Sequence, residues 1–227
     1  MIDIRGKKLK ELFLLLKKEK HIKNTTQAVE FLSILILIKY IDLRFSKQKY
    51  NLEFDWDYKG YFFDYCQNVL LSSINYNFFI EKKEHNKYIL NTLENIIFNL
   101  SNDKILSLSY EFLNSINNRY DLCELKKEFD FLIDEMILDT SQSGMYFTPR
   151  VLSKVMVSYL NPKSDDRIYD PACGTGGFLV ESAEHIKDNM KFHLCGNDIS
   201  FFPLLISNVR LILIGEDDVI LQQKKFN

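Results

Sequence analysis

The chain has 227 residues, of which 46% are hydrophobic and 26% are charged, and its formal net charge is −2 at pH 7. This composition excludes a disordered tail, a collagen-like repeat and a polybasic nucleic-acid arm as descriptions of the whole chain. The length suits one large domain or two modest ones, at about 150 residues per domain.

The first 23 residues are basic and could contact phosphate. The candidates for touching DNA are Lys7, Lys8, Lys10, Lys17 and Lys18. The alternative is a solvated helix face, which is what most charge runs are. The apolar runs fall far short of the roughly 20 residues that cross a bilayer, and no signal-peptide cleavage pattern follows the basic residues. The sequence therefore predicts a cytoplasmic protein with no membrane partner.

Residues 1–143 contain no proline and only two glycines, and their apolar residues recur at helical spacing. Two stripes show this pattern, one formed by Ile89, Leu93, Ile96, Ile97 and Leu100, the other by Leu122, Leu125, Phe129, Leu132 and Met136. The spacing predicts four to six packed helices. We assign the aromatic run 56–65 to their core rather than to a base-stacking surface.

The chain changes character near Gly144, because residues 144–227 hold all four prolines and six of the eight glycines. We therefore expect two domains, 1–143 and 144–227. In the second, predicted helices cover Thr148 to about Leu160, 178 to about 187, and 201–213. Predicted strands cover 167–170, 192–195 and, less clearly, 218–221. This alternation indicates a parallel sheet. So few strands make an incomplete sheet, with an exposed edge and an uncovered apolar face.

A glycine-rich loop lies where the first strand turns into a helix. It consists of Asp170, Pro171, Ala172, Cys173, Gly174, Thr175, Gly176, Gly177 and Phe178. Small residues allow backbone N–H groups to approach a ligand, and the helix N-terminus adds a partial positive charge. Neither the cysteines nor the histidines have metal-type spacing, and no base lies near Cys173 in sequence. The loop therefore predicts a nucleotide-like ligand, without a metal or a cysteine nucleophile.

The residues of the loop discriminate between nucleotide ligands. The phosphate loop of ATPases ends in Gly-Lys-Ser/Thr, whereas Gly177 is followed by Phe178 and Leu179. The dinucleotide fingerprint needs glycine at position 179, and an acid before the turn disfavours a pyrophosphate, so NAD is the runner-up. S-adenosylmethionine has no phosphate and carries an ammonium group that Asp170 could face. After the second predicted strand, Asp198 could accept two ribose hydroxyls or could cap a helix.

A second candidate segment precedes the loop. It consists of Gly144, Met145, Tyr146, Phe147, Thr148, Pro149 and Arg150. Thr148 is a good N-cap and Pro149 a good first helical residue, so a helix with free N–H groups is predicted to begin there. Such an end can receive the carboxylate of a cofactor, although an ordinary helix start explains these residues equally well.

In order and spacing, these two segments resemble the modification subunit of type I restriction-modification systems, as do Gly196-Asn197-Asp198, Asn208 and Gly215. That family consists of N6-adenine DNA methyltransferases. Upstream, Leu35 to Asp42 resembles the family's N-terminal helical domain more loosely. The resemblance implies an α-helical N-terminal domain followed by the start of an α/β Rossmann-like S-adenosylmethionine-dependent methyltransferase domain.

The resemblance also implies a set of ligands and partners. S-adenosylmethionine would be bound by Tyr146, Phe147, Thr148, Pro149, the 170–178 loop and Asn197, with Asp198, where the family usually has glutamate, at the ribose. The implied partners are double-stranded DNA, a specificity subunit that reads its sequence and a restriction subunit that cuts it.

The family's catalytic tetrad, Asn/Asp/Ser-Pro-Pro-aromatic, is missing, because the 227 residues contain no Pro-Pro pair. The adenine amino lone pair is delocalised into the ring, so carbonyl groups must accept its hydrogens while an aromatic ring stacks on the flipped base. We therefore expect no catalytic residue here, an enzyme by family that is inactive as this chain alone, and a C-terminal remainder of the methyltransferase as a further partner. The alternatives are a non-catalytic cofactor-binding scaffold subunit and an NAD-binding enzyme.

Overall fold

The structure is a computed structural model, and it describes residues 4–45, 58–72, 82–140, 147–186 and 192–224. The chain divides after Thr140 into two compact units, one built of helices and one of helices and strands.

The described part of the helical unit contains more helices than predicted. They are α1 (Ile4–Leu16), α2 (Thr25–Phe45), α3 (Tyr58–Ser72), α4 (Lys82–Asn99), α5 (Asp103–Asn114), α6 (Arg119–Cys123) and α7 (Lys126–Thr140). The stripe from Leu122 to Met136 is split between α6 and α7, because the chain turns between Cys123 and Lys126. All five of its apolar side chains are nevertheless buried, so the spacing identified the core but not the break.

Helix α2 is the centre of the helical unit. From Phe31 to Ile38 no residue is more than 2% exposed, and α2 contacts α1, α3, α5, α6 and α7. A helix that is apolar on all sides must be surrounded in this way. The hydroxyl of Ser33 donates to Val29 O at 2.7 Å, so the polar group in this run is satisfied. Although α2 has 21 residues, no helix in the described ranges is long and apolar enough to span a bilayer.

The predicted aromatic core is present where the structure describes it. Phe62 is fully buried and Tyr65 is 3% exposed, both in α3. The ring of Phe62 lies 4.9 Å from that of Tyr110 in α5. Trp56 lies outside the described residues.

The basic side chains of α1, and Lys17 directly after it, do not form a simple solvated face. They pair with acids of three other helices: Arg5 with Asp121 at 2.8 Å, Lys8 with Glu111 at 2.7 Å, Lys10 with Glu128 at 3.6 Å and Lys17 with Glu135 at 3.5 Å. The acids belong to α5, α6 and α7, so the charge of α1 is largely matched within the helical unit. The sequence showed the run of bases but not the acids that fold against it.

The α/β unit has the predicted alternation. Its described elements are α8 (Arg150–Leu160), β1 (Arg167–Asp170), α9 (Gly177–Ile186), β2 (His193–Asp198), α10 (Phe201–Leu213) and β3 (Val219–Gln223). The three strands are parallel in the order β1-β2-β3, and Gly196 pairs with both Asp170 and Leu221. Strand β2 runs three residues beyond its predicted end, so Asp198 is its last residue rather than the residue after it.

Among the described residues, helices cover one face of this sheet and leave the other bare. Helix α9 contacts β1 and β2, and α10 contacts β2 and β3. Both crossovers step in the same direction, and right-handed connections then place both helices on one face. On that face Leu194 and Leu221 are buried, whereas on the other Tyr169 and Ile220 are each 55% exposed. Within the described residues β1 pairs with β2 alone, so the predicted open edge and uncovered face are both present.

Candidate functional site

The loop between β1 and α9 follows a path that requires glycine. Gly174 and Gly176 have φ angles of +53° and +77°, in the left-handed region that other residues rarely adopt. A Cβ atom at position 176 would also lie 2.4 Å from Ser207 Oγ of α10. The loop therefore packs its backbone directly against α10, and α9 begins at the next residue, Gly177.

Hydrogen bonds join this loop to the end of β2. The N–H of Cys173 donates to Asn197 O at 2.8 Å, and the N–H of Gly174 donates to Asp198 Oδ2 at 3.1 Å. Gly196 makes the approach possible, because a Cβ atom there would lie 2.9 Å from Cys173 Sγ. The carboxyl ends of β1 and β2 thus form one continuous polar edge.

Asp170, the last residue of β1, faces this edge with one oxygen in use. Its Oδ1 accepts the N–H of Ala172 at 3.1 Å. Its Oδ2 is buried and has no hydrogen-bond partner among the described residues. Burial raises the pKa of the Asp170 carboxyl, the Ala172 N–H opposes that rise, and the charge of Asp198 adds to it. A buried carboxylate oxygen without a partner is costly, so this position fits a cationic group of a ligand.

Both carboxylate oxygens of Asp198, unlike those of Asp170, accept hydrogen bonds within the chain. Its Oδ1 accepts the N–H of Ser200 at 2.8 Å, and its Oδ2 accepts the N–H of Gly174. The N-cap of α10 is Ser200, so Asp198 leads into the helix through a local turn without capping it. Because an ionised carboxylate has about four acceptor positions, these two bonds leave capacity for ribose hydroxyls.

Asn197 lies behind the site rather than in it. It is 3% exposed, and its Nδ2 donates to Pro171 O at 3.2 Å and to Lys224 O at 3.0 Å. The amide therefore ties together the chain segments that follow β1 and β3. A contact between Asn197 and a cofactor stays a prediction.

The start of α8 differs by one residue from the prediction. Pro149 occupies the N-cap position with ψ of 135°, and no side chain caps the helix. The extended ψ keeps Pro149 out of the first turn, and its carbonyl accepts the N–H groups of Leu152 and Ser153. Thr148 is exposed and does not act as the N-cap, so that prediction is wrong. Tyr146 lies outside the described residues.

Helix α8 is nevertheless attached to the loop through α9. Arg150 Nε lies 3.1 Å from Oε1 of Glu181, a carboxylate that is otherwise buried. Ser153 faces Gly177, since its Oγ would lie 3.6 Å, an ordinary contact distance, from a Cβ there. The first turns of α8 and α9 therefore pack side by side, beside Phe147 and Phe178, which are both partly buried.

The loop cysteine is not activated as a nucleophile. Burial, together with the charges of Asp170 and Asp198, raises the pKa of Cys173 to about 12, so the thiol stays protonated. Pro171 and Ala172 are exposed, whereas Thr175 is buried.

Sequence reasoning missed two residues beneath the loop. Arg210 Nη1 donates to Thr175 O at 2.9 Å, and Ser207 lies against Gly176. Arg210 is the only charged residue between Phe201 and Leu213. A single charge in an apolar helix was the signal that could have identified it.

Known proteins that are similar to this chain in sequence are DNA methylases. The family model described as N-6 DNA Methylase matches residues 125–224. The type I restriction enzyme EcoEI methylase subunit of Escherichia coli is 48% identical over 61 residues, which are 25% of this chain and 12% of that protein. The MjaVII methylase subunit of Methanocaldococcus jannaschii is 26% identical over 114 residues, or 47% of this chain and 20% of that protein. The chain thus aligns with only a small part of these relatives.

A solved structure shares the fold over nearly the whole chain. The type I restriction-modification system methyltransferase subunit from Streptococcus thermophilus matches with a TM-score of 0.59 and 11% identity, covering 97% of this chain and 58% of that one. Identity this low shows the fold alone, which is a helical N-terminal part followed by parallel strands with helices. Residues 125–224 thus match the N-6 DNA methylase family, and the chain is similar in sequence to a portion of the methylase subunits of type I restriction enzymes.

Proposed function

We propose that the α/β unit is the S-adenosylmethionine-binding part of a site-specific adenine-N6 DNA methyltransferase of a restriction-modification system. The observation that carries the proposal is the buried, unpartnered Oδ2 of Asp170 beside the glycine loop. S-adenosylmethionine offers an ammonium group for that oxygen, and it supplies a methyl group activated by the neighbouring sulfonium.

Three parts of the site have proposed roles. Asp170 holds the ammonium group, Asp198 accepts the ribose hydroxyls, and the N–H groups at the start of α8 receive the carboxylate of the cofactor. The loop 171–178 lies between these groups and approaches the ligand with its backbone. An acidic edge of this kind disfavours the pyrophosphate of NAD, which remains the second candidate.

Equilibrium dialysis of the 227-residue chain tests this proposal. We expect S-adenosylmethionine to bind in preference to NAD, and Asp170→Ala and Gly174→Val to weaken binding. Asp218→Ala is the matched control, because Asp218 is an exposed acid at the opposite edge of the same sheet, just before β3. Equal binding by Asp170→Ala and the unmodified chain, or a preference for NAD, would contradict the proposal.

We also propose that the residues that activate adenine come from outside these 227 residues, because no Pro-Pro pair is present. The free edge of β1 and the bare face around Tyr169 and Ile220 support a C-terminal remainder of the methyltransferase as the partner. The purified chain should then transfer no methyl group to double-stranded DNA. Transfer in the absence of other chains would overturn this part of the proposal.

The further partners follow from the family and are proposed with it. They are double-stranded DNA, a specificity subunit and a restriction subunit, all in the cytoplasm. The lysines in and directly after α1 contribute less to DNA binding than their number suggests, since Lys8, Lys10 and Lys17 have acidic partners. A non-catalytic scaffold subunit would bind the cofactor equally well but would remain inactive when the remainder of the methyltransferase is added.

A further inference from the structure

Helix α10 carries a cation into the apolar interior of the α/β unit. Arg210 is 9% exposed and lies on a helix whose other side chains are mostly apolar and buried. Burying a guanidinium group is costly unless it makes compensating hydrogen bonds. The position of Arg210 therefore calls for a specific contact.

That contact is with the glycine loop. Arg210 Nη1 donates to the carbonyl oxygen of Thr175 at 2.9 Å, and this bond is buried. Thr175 lies between Gly174 and Gly176, the two residues with positive φ. A hydrogen bond from a charged donor is among the stronger ones in proteins, and here it holds a carbonyl between two glycines, the residue type with the widest choice of backbone conformations.

Ser207, one turn before Arg210 in α10, packs against the same part of the glycine loop. Residues 207 and 210 are three apart, so they lie on one face of the helix. Ser207 Oγ occupies the space that a Cβ atom on Gly176 would need, at 2.4 Å. One helix face thus limits the position of the loop through packing and through a charged hydrogen bond.

We propose that Arg210 is a positioning residue for the cofactor site, which it serves by fixing the Thr175 carbonyl and with it the path of the loop. Arg210 contacts the covered side of the loop and acts through Thr175. A loop already held in its bound path loses less entropy when a ligand arrives. This inference rests on the proposed function in one respect only, the identity of the ligand.

The first test measures S-adenosylmethionine binding to the 227-residue chain by equilibrium dialysis. Arg210→Met keeps the length of the side chain but removes its charge and donors, and we expect it to weaken binding by about tenfold or more. Arg210→Lys keeps the charge and a donor and should restore part of the affinity. Leu211→Met is the matched control on the same buried helix, and its affinity should stay within about twofold. Unchanged binding by Arg210→Met, or an equal loss in Leu211→Met, would overturn the inference.

The second test needs no ligand. Amide hydrogen exchange should accelerate by about tenfold or more at Gly174 and Gly176 in Arg210→Met, while the central amides of α10 keep their protection. If Arg210→Met does not fold, the same comparison is made with Arg210→Leu, which also removes the charge and every donor. Loop amides that exchange as in the unmodified chain would refute the role of Arg210. If the unmodified chain fails to bind S-adenosylmethionine, the proposed function falls, and the exchange experiment still decides whether Arg210 holds the loop.

Discussion

Asp170 shows how a single residue can be unfavourable in the free protein and useful in a complex. The sequence predicted its place, because an acid that ends a strand before a glycine turn must lie at the carboxyl edge of the sheet. The sequence did not predict that only one oxygen would be satisfied, since that depends on which backbone N–H groups the folded loop turns toward it. Ala172 supplies one such group to Oδ1, and none among the described residues reaches Oδ2.

The raised pKa of Asp170 predicts how it affects stability. The ordinary pKa of an aspartate carboxyl is 3.8, and the pKa of Asp170 in the folded chain is higher. The group therefore contributes stability that is fully present below that value and is lost as the pH rises through the raised pKa of the folded chain. Asp170→Asn keeps an acceptor for Ala172 and should be at least as stable as the unmodified chain at pH 7 in urea unfolding. A clear loss of stability at pH 7 would contradict this interpretation.

The glycines offer a second prediction at this scale. Gly174 and Gly215 both have positive φ, +53° and +92°, with open space around the Cβ position among the described residues. Alanine at either position should cost about 1 kcal/mol in the free energy of unfolding, because only the backbone conformation is strained. Gly174→Ala should also weaken S-adenosylmethionine binding, whereas Gly215→Ala, at the end of α10, should not. Equal affinities of the Gly174→Ala and Gly215→Ala variants in dialysis would show that the loop is not part of the binding site.

At the scale of elements, the sequence predicted the strands and helices of the α/β unit well. The bounds of β1 and α10 were predicted as observed, because polar or glycine-rich segments flank their apolar residues. The start of α8 was predicted one residue early, since the letters Thr148-Pro149 suit an N-cap and a first turn. The ψ angle that Pro149 adopts cannot be read from them. The turn between α6 and α7 was missed because it contains neither glycine nor proline.

The ion pairs of α1 lead to a prediction about this element. Arg5 pairs with Asp121, whose side chain is only 8% exposed, whereas Lys8 pairs with Glu111, which is 55% exposed. Removing Arg5 takes the cation away from this buried carboxylate, whose Oδ2 still accepts the N–H of Asn117 at 2.7 Å, so Arg5→Ala should lower the free energy of unfolding by about 2 to 4 kcal/mol. Lys8→Ala should cost about 0.5 kcal/mol or less. Urea unfolding of the two variants would contradict this ranking if their losses were equal.

The described part of the α/β unit exposes two contiguous groups of apolar side chains. Besides the bare face of the sheet, the outward side of α8 presents Val151, Leu152, Val155, Met156, Tyr159 and Leu160, which are 43% to 89% exposed. Their spacing follows successive turns, so they form one stripe along the helix. Contiguous apolar surface of this kind promotes association in water.

Lysine in this stripe should therefore reduce self-association without harming the fold. Val155→Lys and Tyr159→Lys replace exposed residues with a good helix former, so stability should change by about 0.5 kcal/mol or less. Val157→Lys is the matched control on the buried side, where Val157 is 3% exposed, and it should destabilise the unit by about 2 kcal/mol or more. Sedimentation velocity and urea unfolding measure the two effects. Unaltered association in the double variant Val155→Lys/Tyr159→Lys would show that the stripe is not its cause.

The hydrogen bonds of Cys173 and Gly174 to residues at the end of β2 have a consequence for the order in which the molecule forms. Those partners lie 24 residues further along the chain, and Asn197 in turn bonds to Lys224. During synthesis, the loop leaves the ribosome before Asn197 and Asp198 do. At that stage the nascent chain therefore lacks the hydrogen-bond acceptors that fix the conformation of the loop. The pocket matures only when the second and third strands have been made, which makes its assembly a late, non-local step in folding.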